Sequence, residues 1–560
     1  MPDNKPNQRQ RFTILMPLLF AVVLIFGILL GMTLQTGQPT RLLDTQAVEN
    51  ERYPGQSRIE EMLRYIEAKY VDSVDREELV DEAMKTILEQ LDPHSSYISR
   101  EELRQVTEQL EGNFEGIGVE FMMVDDTVVV VAPISGGPSE QAGILAGDKI
   151  VEVEDSIIAG QGLSNQDIIN LLKGEKGTEV TIGIKRGQRE ALRRYTITRA
   201  EIPLNSVDVS YMLSDNTGYI KISRFSATTD REFIDALEYL VDEKGMQDLV
   251  IDLRHNPGGY LQKATNILSQ LFPRNGELLV YTEGRAVKRS DYESSGRSFF
   301  NIDDVVVLID EGSASASEIL AGAVQDQDRG IIVGRRSFGK GLVQEQYRLS
   351  DGSALRLTVA RYFTPSGRSI QKPYDDLDGY RNDFQERYES GELFAENKIA
   401  VDDSTRFYTS NGRIVYGGGG IIPDVFVPLD TTLMTDAFMS LRQQIPNFVF
   451  RYMEDNAAAY SELTLDEFRN DYSLSADLVD QFITFVAGED EQLAAKAGNY
   501  RSDLALFIKA RIGKHLFDEA GYYSIINQDD AMVQEALEVL SKPNPLTENK
   551  LFQKQEAIRE

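Results

Sequence analysis

Cysteine is absent from the 560 residues, which excludes disulfide staples, thiolate-bound zinc and a thiol nucleophile. Histidine is nearly as scarce. His94, His255 and His515 are the only three, so a site built from three imidazoles is close to excluded and a hydrolase here has few imidazoles to use as base. Positive charge is also short: Lys and Arg total 58 against 90 Asp and Glu, a formal net charge of −32. A field of that sign repels phosphate backbones, so nucleic acid is not an expected partner, and the many carboxylates read as a solvated surface. Long apolar runs are missing, with one exception. Phe12 to Leu34 is a run of 23 residues without a charge, long enough at about 1.5 Å per residue to cross a hydrocarbon layer of roughly 30 Å. Lys5, Arg9 and Arg11 precede it, which by the positive-inside rule leaves the N-terminus in the cytoplasm and the rest outside. A cleavable signal peptide is the alternative, but the stretch Gly31 to Gly37 offers no Ala-x-Ala site. The expectation is an uncleaved anchor.

What remains is long enough for three or four folded units, and 41% hydrophobic residues fit globular domains. Residues 36–110 read as a polar linker and then a helical segment, with apolar positions such as Ile59, Met62, Leu63 and Ile66 at helical spacing. Asp92-Pro93-His94 ends that stretch, and a further helix is expected from Arg100 to Leu110. Residues 111–200 change texture. Phe121 to Ala132 and Val180 to Ile184 predict β-branched strands, with glycine-rich turns and a short helix at Ser164 to Leu172 between them. Residues 201–371 alternate strands (219–222, 249–253, 305–309) with helices (229–244, to Leu271, 316–326), which predicts an α/β core. Val343 to Phe363 reads as two strands around Ser350–Ser353. Residues 372–430 hold a polar, aromatic insertion without clear periodicity (372–415) and a last strand, and 431–560 are mostly helical. The fold class expected is thus an α+β multidomain chain: membrane helix, helical segment, β-rich module, α/β core and helical C-terminal region.

Ser315 follows the strand 305–309 where a helix begins, so the free N–H groups of the helix N-terminus lie beside its hydroxyl. Ser315-Ala316-Ser317-Glu318 equally fits a capping box. Lys340 stands between two glycines that allow close backbone packing; a lysine becomes a general base only if burial or positive neighbours lower its pKa. The stretch Gly334 to Lys340 mimics a phosphate loop, G-x-x-x-x-G-K. The next residue is Gly341 rather than Ser or Thr, and Leu342 to Leu349 alternates as a strand, so no helix N-terminus exists to hold phosphates. Asn256-Pro257-Gly258-Gly259 follows a buried strand and is able to aim N–H groups into a site, or to serve as a plain strand-to-helix turn. His255 is the one candidate for a Ser-His pair; His94 and His515 receive no role.

In order along the chain, several segments resemble the carboxyl-terminal processing peptidases, the tail-specific serine proteases of family S41 with a Ser-Lys dyad. They are Leu91 to Tyr97, Gly116-Ile117-Gly118-Val119, Asp252 to Gly259, Gly312 to Glu318, Phe338 to Gly341, Thr364 to Arg368 and the Gly-Ile-Ile-Pro run ending at Asp424. The resemblance implies a PDZ domain over 111–200 and a crotonase-like protease core over 201–371. It implies Ser315 as nucleophile, chosen among Ser313, Ser315 and Ser317 because the family's serine precedes its lysine by 25 residues. It further implies Lys340 as general base, Gln344 as supporting residue, and an oxyanion hole from the Ala316 N–H with Gly258 or Gly259. Gly116, Ile117, Gly118 and Val119 would capture a substrate's C-terminal carboxylate by strand addition, with Lys173 a candidate relay if the PDZ domain gates the dyad. The activity implied is endopeptidase cleavage of proteins near their C-termini, with no cofactor and no metal. The partners implied are proteins with a free C-terminus and, through 12–34, the membrane; the C-terminal helices are a candidate surface for self-association or an adaptor. The location implied is the bacterial inner membrane with the catalytic part in the periplasm. The rival reading is an inactive, membrane-tethered PDZ scaffold.

Overall fold

The computed structural model describes residues 56–187, 191–401, 405–543 and 546. The expected anchor at 12–34 lies outside them, and among the described residues no helix is long and apolar enough to cross a membrane. The chain divides into two units, residues 1–83 and 84–560. In the first, Arg76 reaches back to Glu60 and Glu67 of the Gln56–Lys69 helix at 3.0 and 2.8 Å.

In the second unit the helix Arg100–Glu111 opens with a capping box between Ser99 and Glu102 and closes on Gly112 at φ +75. Next comes an antiparallel sheet in the order Val119–Val124, Thr127–Pro133, Lys149–Val153, Glu179–Lys185, Arg193–Thr198, with the short Ser156–Ile157 beside the third. The single strand expected over 121–132 is a hairpin instead. Asp125 and Asp126 take φ +48 and +53, the paired left-handed conformation that reverses two antiparallel strands. Ile117, Val130, Ile150, Ile168, Val180 and Ile182 fill the core of this module.

The α/β core is a six-stranded sheet ordered Val207–Met212, Thr217–Ile222, Asp248–Asp252, Val305–Ile309, Ile331–Gly334, Val425–Phe426. Only the first pair is antiparallel. Val305–Ile309 is buried throughout, as a central parallel strand covered on both faces must be. On one face lie Leu261–Leu271 and Ala316–Asp326; on the other lies the C-terminal helix Ala531–Leu540, whose Met532, Val533 and Val539 meet Val250, Val306 and Leu308. The helix expected over 229–244 is α-helical through Glu238 and widens into a π turn at Tyr239–Glu243. A second, five-stranded antiparallel sheet contains Leu342–Arg348 and Ala354–Phe363 together with an unforeseen hairpin, Asn275–Glu283 and Ser290–Ser295.

Among its described residues the insertion has regular structure. It forms the helices Leu377–Arg381 and Asp383–Ser390 and the hairpin Arg406–Tyr408/Ile414–Tyr416. Beyond it, helices from Asp436 onward enclose their own core around Phe438, Phe448, Phe468 and Phe482. The Arg501–Ile526 helix breaks at Phe517–Asp518, and Gly513 and Gly521 meet so closely that a Cβ on Gly521 would sit 2.0 Å from the Gly513 carbonyl oxygen.

Candidate active site

Ser315 is the N-cap of Ala316–Asp326, at φ +56 and ψ −111. Residues with a Cβ avoid that region, and such strain persists only where the surroundings over-determine it. Here the determinant is Glu318. Its fully buried carboxylate accepts the N–H groups of Ser315 (2.8 Å), Gly339 (2.7 Å) and Lys340 (2.9 Å) and the Ser337 hydroxyl (2.5 Å). One side chain therefore ties the serine turn to the lysine loop. Burial pushes the Glu318 carboxyl up to about 7 against the pull of those four donors. Tyr362 closes the same junction from the other side, its hydroxyl lying between the carbonyls of Ser315 and Lys340.

Ser315 and Lys340 line one cavity of about 1180 Å³, together with Gly258, Gly259 and Gln344. Ser313 and Ser317 do not. Both are fully buried, and their hydroxyls donate to the carbonyls of Leu253 (2.8 Å) and Asn256 (2.9 Å). Lys340 is largely buried; burial and then the charge of Arg356 hold its amine below the usual lysine range, while Glu318 and Asp92 oppose them. The amine donates to Gln344 Oε1 at 3.1 Å and makes no hydrogen bond to Ser315. The Gln344 amide nitrogen in turn donates to the His94 carbonyl at 2.5 Å.

The glycine loop approaches from the neighbouring strand. Gly258 (φ +98) lies so close that a Cβ would stand 2.8 Å from the Ser315 Cβ and 2.9 Å from the Ala316 nitrogen. Its N–H is already given to Asn256 Oδ1 at 2.8 Å. The N–H groups of Gly259 and Ala316 have no hydrogen-bond acceptor among the described residues. Beneath the loop, buried Asp252 accepts Arg254 at 2.7 Å, and Arg254 continues to Asp530, the N-cap of the Ala531–Leu540 helix, at 2.7 Å.

His255 belongs elsewhere. It contributes nothing to the cavity lining and pairs with Asp310 at 2.9 Å through Nδ1, a bond that raises its pKa. His94 receives no role from the sequence. It is drawn into the lysine surroundings, with Nε2 2.6 Å from the Tyr380 hydroxyl, and burial, then the Lys340 charge, lowers it to about 4. Glu318 was visible only as the third helical residue of a capping box, and nothing in the pattern of 372–415 pointed to Tyr380.

A second cavity of about 500 Å³ lies between Gly116–Val119, Phe121 and the Asn165–Leu172 helix. The N–H groups of Ile117 and Gly118 have no acceptor among the described residues, whereas the carbonyls at 117 and 118 accept from Ser139 and Ile134. Lys173 pairs with Glu108 at 2.6 Å. Glu108 sits on the Arg100–Glu111 helix, which lines this cavity with Arg104 and Glu108 and the larger one with Val106, Leu110 and Glu111.

Comparison with known proteins places these features. Residues 216–383 match the family model of peptidase family S41, 116–193 that of the PDZ domain, and 438–518 that of a family of unknown function. The carboxy-terminal processing protease CtpB of Bacillus subtilis (strain 168) is 36% identical over 59% of this chain and 68% of its own length. A carboxy-terminal-processing protease of Bartonella bacilliformis is 35% identical over 58% of this chain and 74% of its own. The chain belongs to peptidase family S41. It is a serine peptidase with a PDZ domain ahead of its protease core. Among solved structures, the photosystem II D1 C-terminal processing protease aligns at 30% identity, over 67% of this chain and 87% of its own, with a TM-score of 0.33.

Proposed function

We propose that this S41 peptidase cleaves proteins near their C-termini by a Ser315–Lys340 dyad, from a membrane anchor at 12–34 that holds the catalytic part in the periplasm. The observation that carries the dyad is chemical: of three neighbouring serines only Ser315 lines the cavity, and the lysine sharing it is held below its usual pKa by burial. The neutral amine turns from Gln344 to take the Ser315 proton, and Ser315 Oγ bonds to the scissile carbonyl carbon. The oxyanion is met by the unengaged N–H groups of Gly259 and Ala316. The proton passes to the leaving amine, the acyl-enzyme forms, and water resolves it with Lys340 again as base. Gly258, whose N–H is spent on Asn256, serves instead as the residue without a side chain that lets the loop reach Ser315.

The PDZ cavity supports capture of a C-terminal carboxylate on the N–H groups of Ile117 and Gly118, the tail adding alongside Val119. The curated relatives are named for carboxy-terminal processing, which fits that capture. The same geometry supports gating: Lys173 at the tail cavity pairs with Glu108 on the helix that also walls the catalytic cavity.

Ser315→Ala and Lys340→Ala are each expected to abolish cleavage of a protein with an apolar C-terminus while leaving binding of its tail peptide unchanged. His255→Ala is expected to remain active. Cleavage by Lys340→Ala together with an inactive His255→Ala would replace the dyad with a Ser-His pair. A wild-type chain that binds tails and cleaves nothing would favour the scaffold.

A further inference from the structure

The lysine loop, residues 335–341, joins the strands Ile331–Gly334 and Leu342–Arg348, and its backbone is gripped from both sides. Glu318 takes the N–H groups at 339 and 340. The carbonyls are taken by the insertion. From the Asp383–Ser390 helix, Arg387 donates to the carbonyls of Arg336 at 2.9 Å, Ser337 at 3.0 Å and Phe338 at 3.4 Å. A guanidinium that satisfies three successive peptide oxygens fixes the path of the chain, because its planar fork allows one geometry. Arg387 is only 2% exposed and is itself held by Asp383 one turn earlier, at 2.9 Å.

The insertion also grips a side chain of the loop. Lys372 pairs with Asp383 at 3.0 Å and lies over the rings of Phe338 (3.9 Å) and Tyr380 (4.2 Å). Tyr380 then reaches the base by a second route. Its hydroxyl meets His94 Nε2, the His94 carbonyl accepts from Gln344, and Gln344 Oε1 receives the Lys340 amine. No residue of 372–393 lines the catalytic cavity, so the segment does not act as a lid over it.

We propose that residues 372–393 are a brace for the general base, in which Arg387 positions the backbone that presents Lys340 and Tyr380, through His94, positions the Gln344 amide that receives the lysine amine. The inference rests on the Ser315–Lys340 reading. Arg387 and Tyr380 are positioning residues, and their loss should act on turnover rather than on substrate binding, since misplacement of a base by about 1 Å costs on the order of a hundredfold in rate.

The test uses the full chain and a peptide with an apolar C-terminus, with kcat and KM measured separately for Tyr380→Phe, Arg387→Ala, Arg387→Lys and Lys340→Ala. Tyr380→Phe is expected to lower kcat by about tenfold and Arg387→Ala by about a hundredfold, with KM changed by less than about twofold. Arg387→Lys should recover part of the loss, as a cation that reaches fewer carbonyls. Should Arg387→Ala lose its far-ultraviolet dichroism, Tyr380→Phe decides, because it deletes one hydroxyl. An inactive Lys340→Ala beside a Tyr380→Phe with unchanged kcat, or with its loss confined to KM, overturns the brace alone. An active Lys340→Ala overturns the dyad, and the brace with it.

Discussion

Two histidines near the same core are pushed in opposite directions, and the cause is what faces each ring. His94 is enclosed, with the Lys340 amine as a neighbouring charge, and its pKa falls to about 4. His255 is 79% exposed at its side chain, and the Asp310 carboxylate raises it. A nuclear magnetic resonance titration should therefore find one imidazole still neutral at pH 5 and another still charged above the usual 6.5. The sign for stability follows. Between about 6.5 and 4 the unfolded chain binds a proton at His94 that the folded chain refuses, so stability falls as pH drops through that window. The expected outcome is a smaller fall between pH 7 and 5 in His94→Gln than in the parent, measured by denaturation midpoints; parallel curves would show that His94 is not the source. Glu318 displays the limit of reading residues from sequence. Spacing alone placed it as a helix cap, because that role depends on neighbours three residues apart. Its bonds to Gly339 and Lys340 join positions more than twenty residues away, and no local pattern encodes them.

At the scale of elements, what was legible is what local physics decides. Val305–Ile309 and Ala316–Asp326 have the limits their residues suggest, since a run of buried β-branched residues and a Ser-x-x-Glu start leave few alternatives. The Asn275–Glu283 hairpin and the insertion helices were not legible, being short, polar and held by contacts to distant loops. The insertion's grip on the lysine loop was likewise hidden, because Arg387 meets the carbonyls of 336–338 across a long separation in sequence. The Ala531–Leu540 helix carries a comparable tertiary bond. Asp530 caps it through Met532 and Val533 and also accepts Arg254 at 2.7 Å. Asp530→Asn keeps a good cap but removes the charge that faces Arg254. The expected loss is about 1–3 kcal/mol, read as a lower thermal midpoint. An unchanged midpoint would mean that Asp252 alone satisfies Arg254.

Across the whole second unit, the C-terminal helices grip both the PDZ domain and the protease core. Phe450 of the Asp436–Asn456 helix is buried against Met122, Val124 and Val129, and Arg451 next to it donates through Nη2 to both carboxylate oxygens of Asp125 at 2.8 and 2.9 Å. Lys514 stands 3.6 Å from Glu120. On the other side, Arg469 donates to the carbonyls of Met212 and Leu213 at 3.0 Å each, at the end of a core strand. Met122 and Val124 alternate along their strand with Val119, Phe121 and Met123, which pack into the PDZ core. The helical region thus holds the outer face of the strand whose start borders the tail cavity. Replacing a buried Phe by a small residue costs about 3–5 kcal/mol, and at this interface that cost falls on the docking rather than on either core. Phe450→Ser is therefore expected to leave the PDZ domain binding tail peptides and the protease core folded, while the linker formed by the paired strands Asn113–Gly116 and Ala200–Pro203 becomes open to a probe protease. Protection of that linker equal to the parent's would show that the PDZ domain is held by its own contacts with the core, and that the C-terminal helices do not set its place.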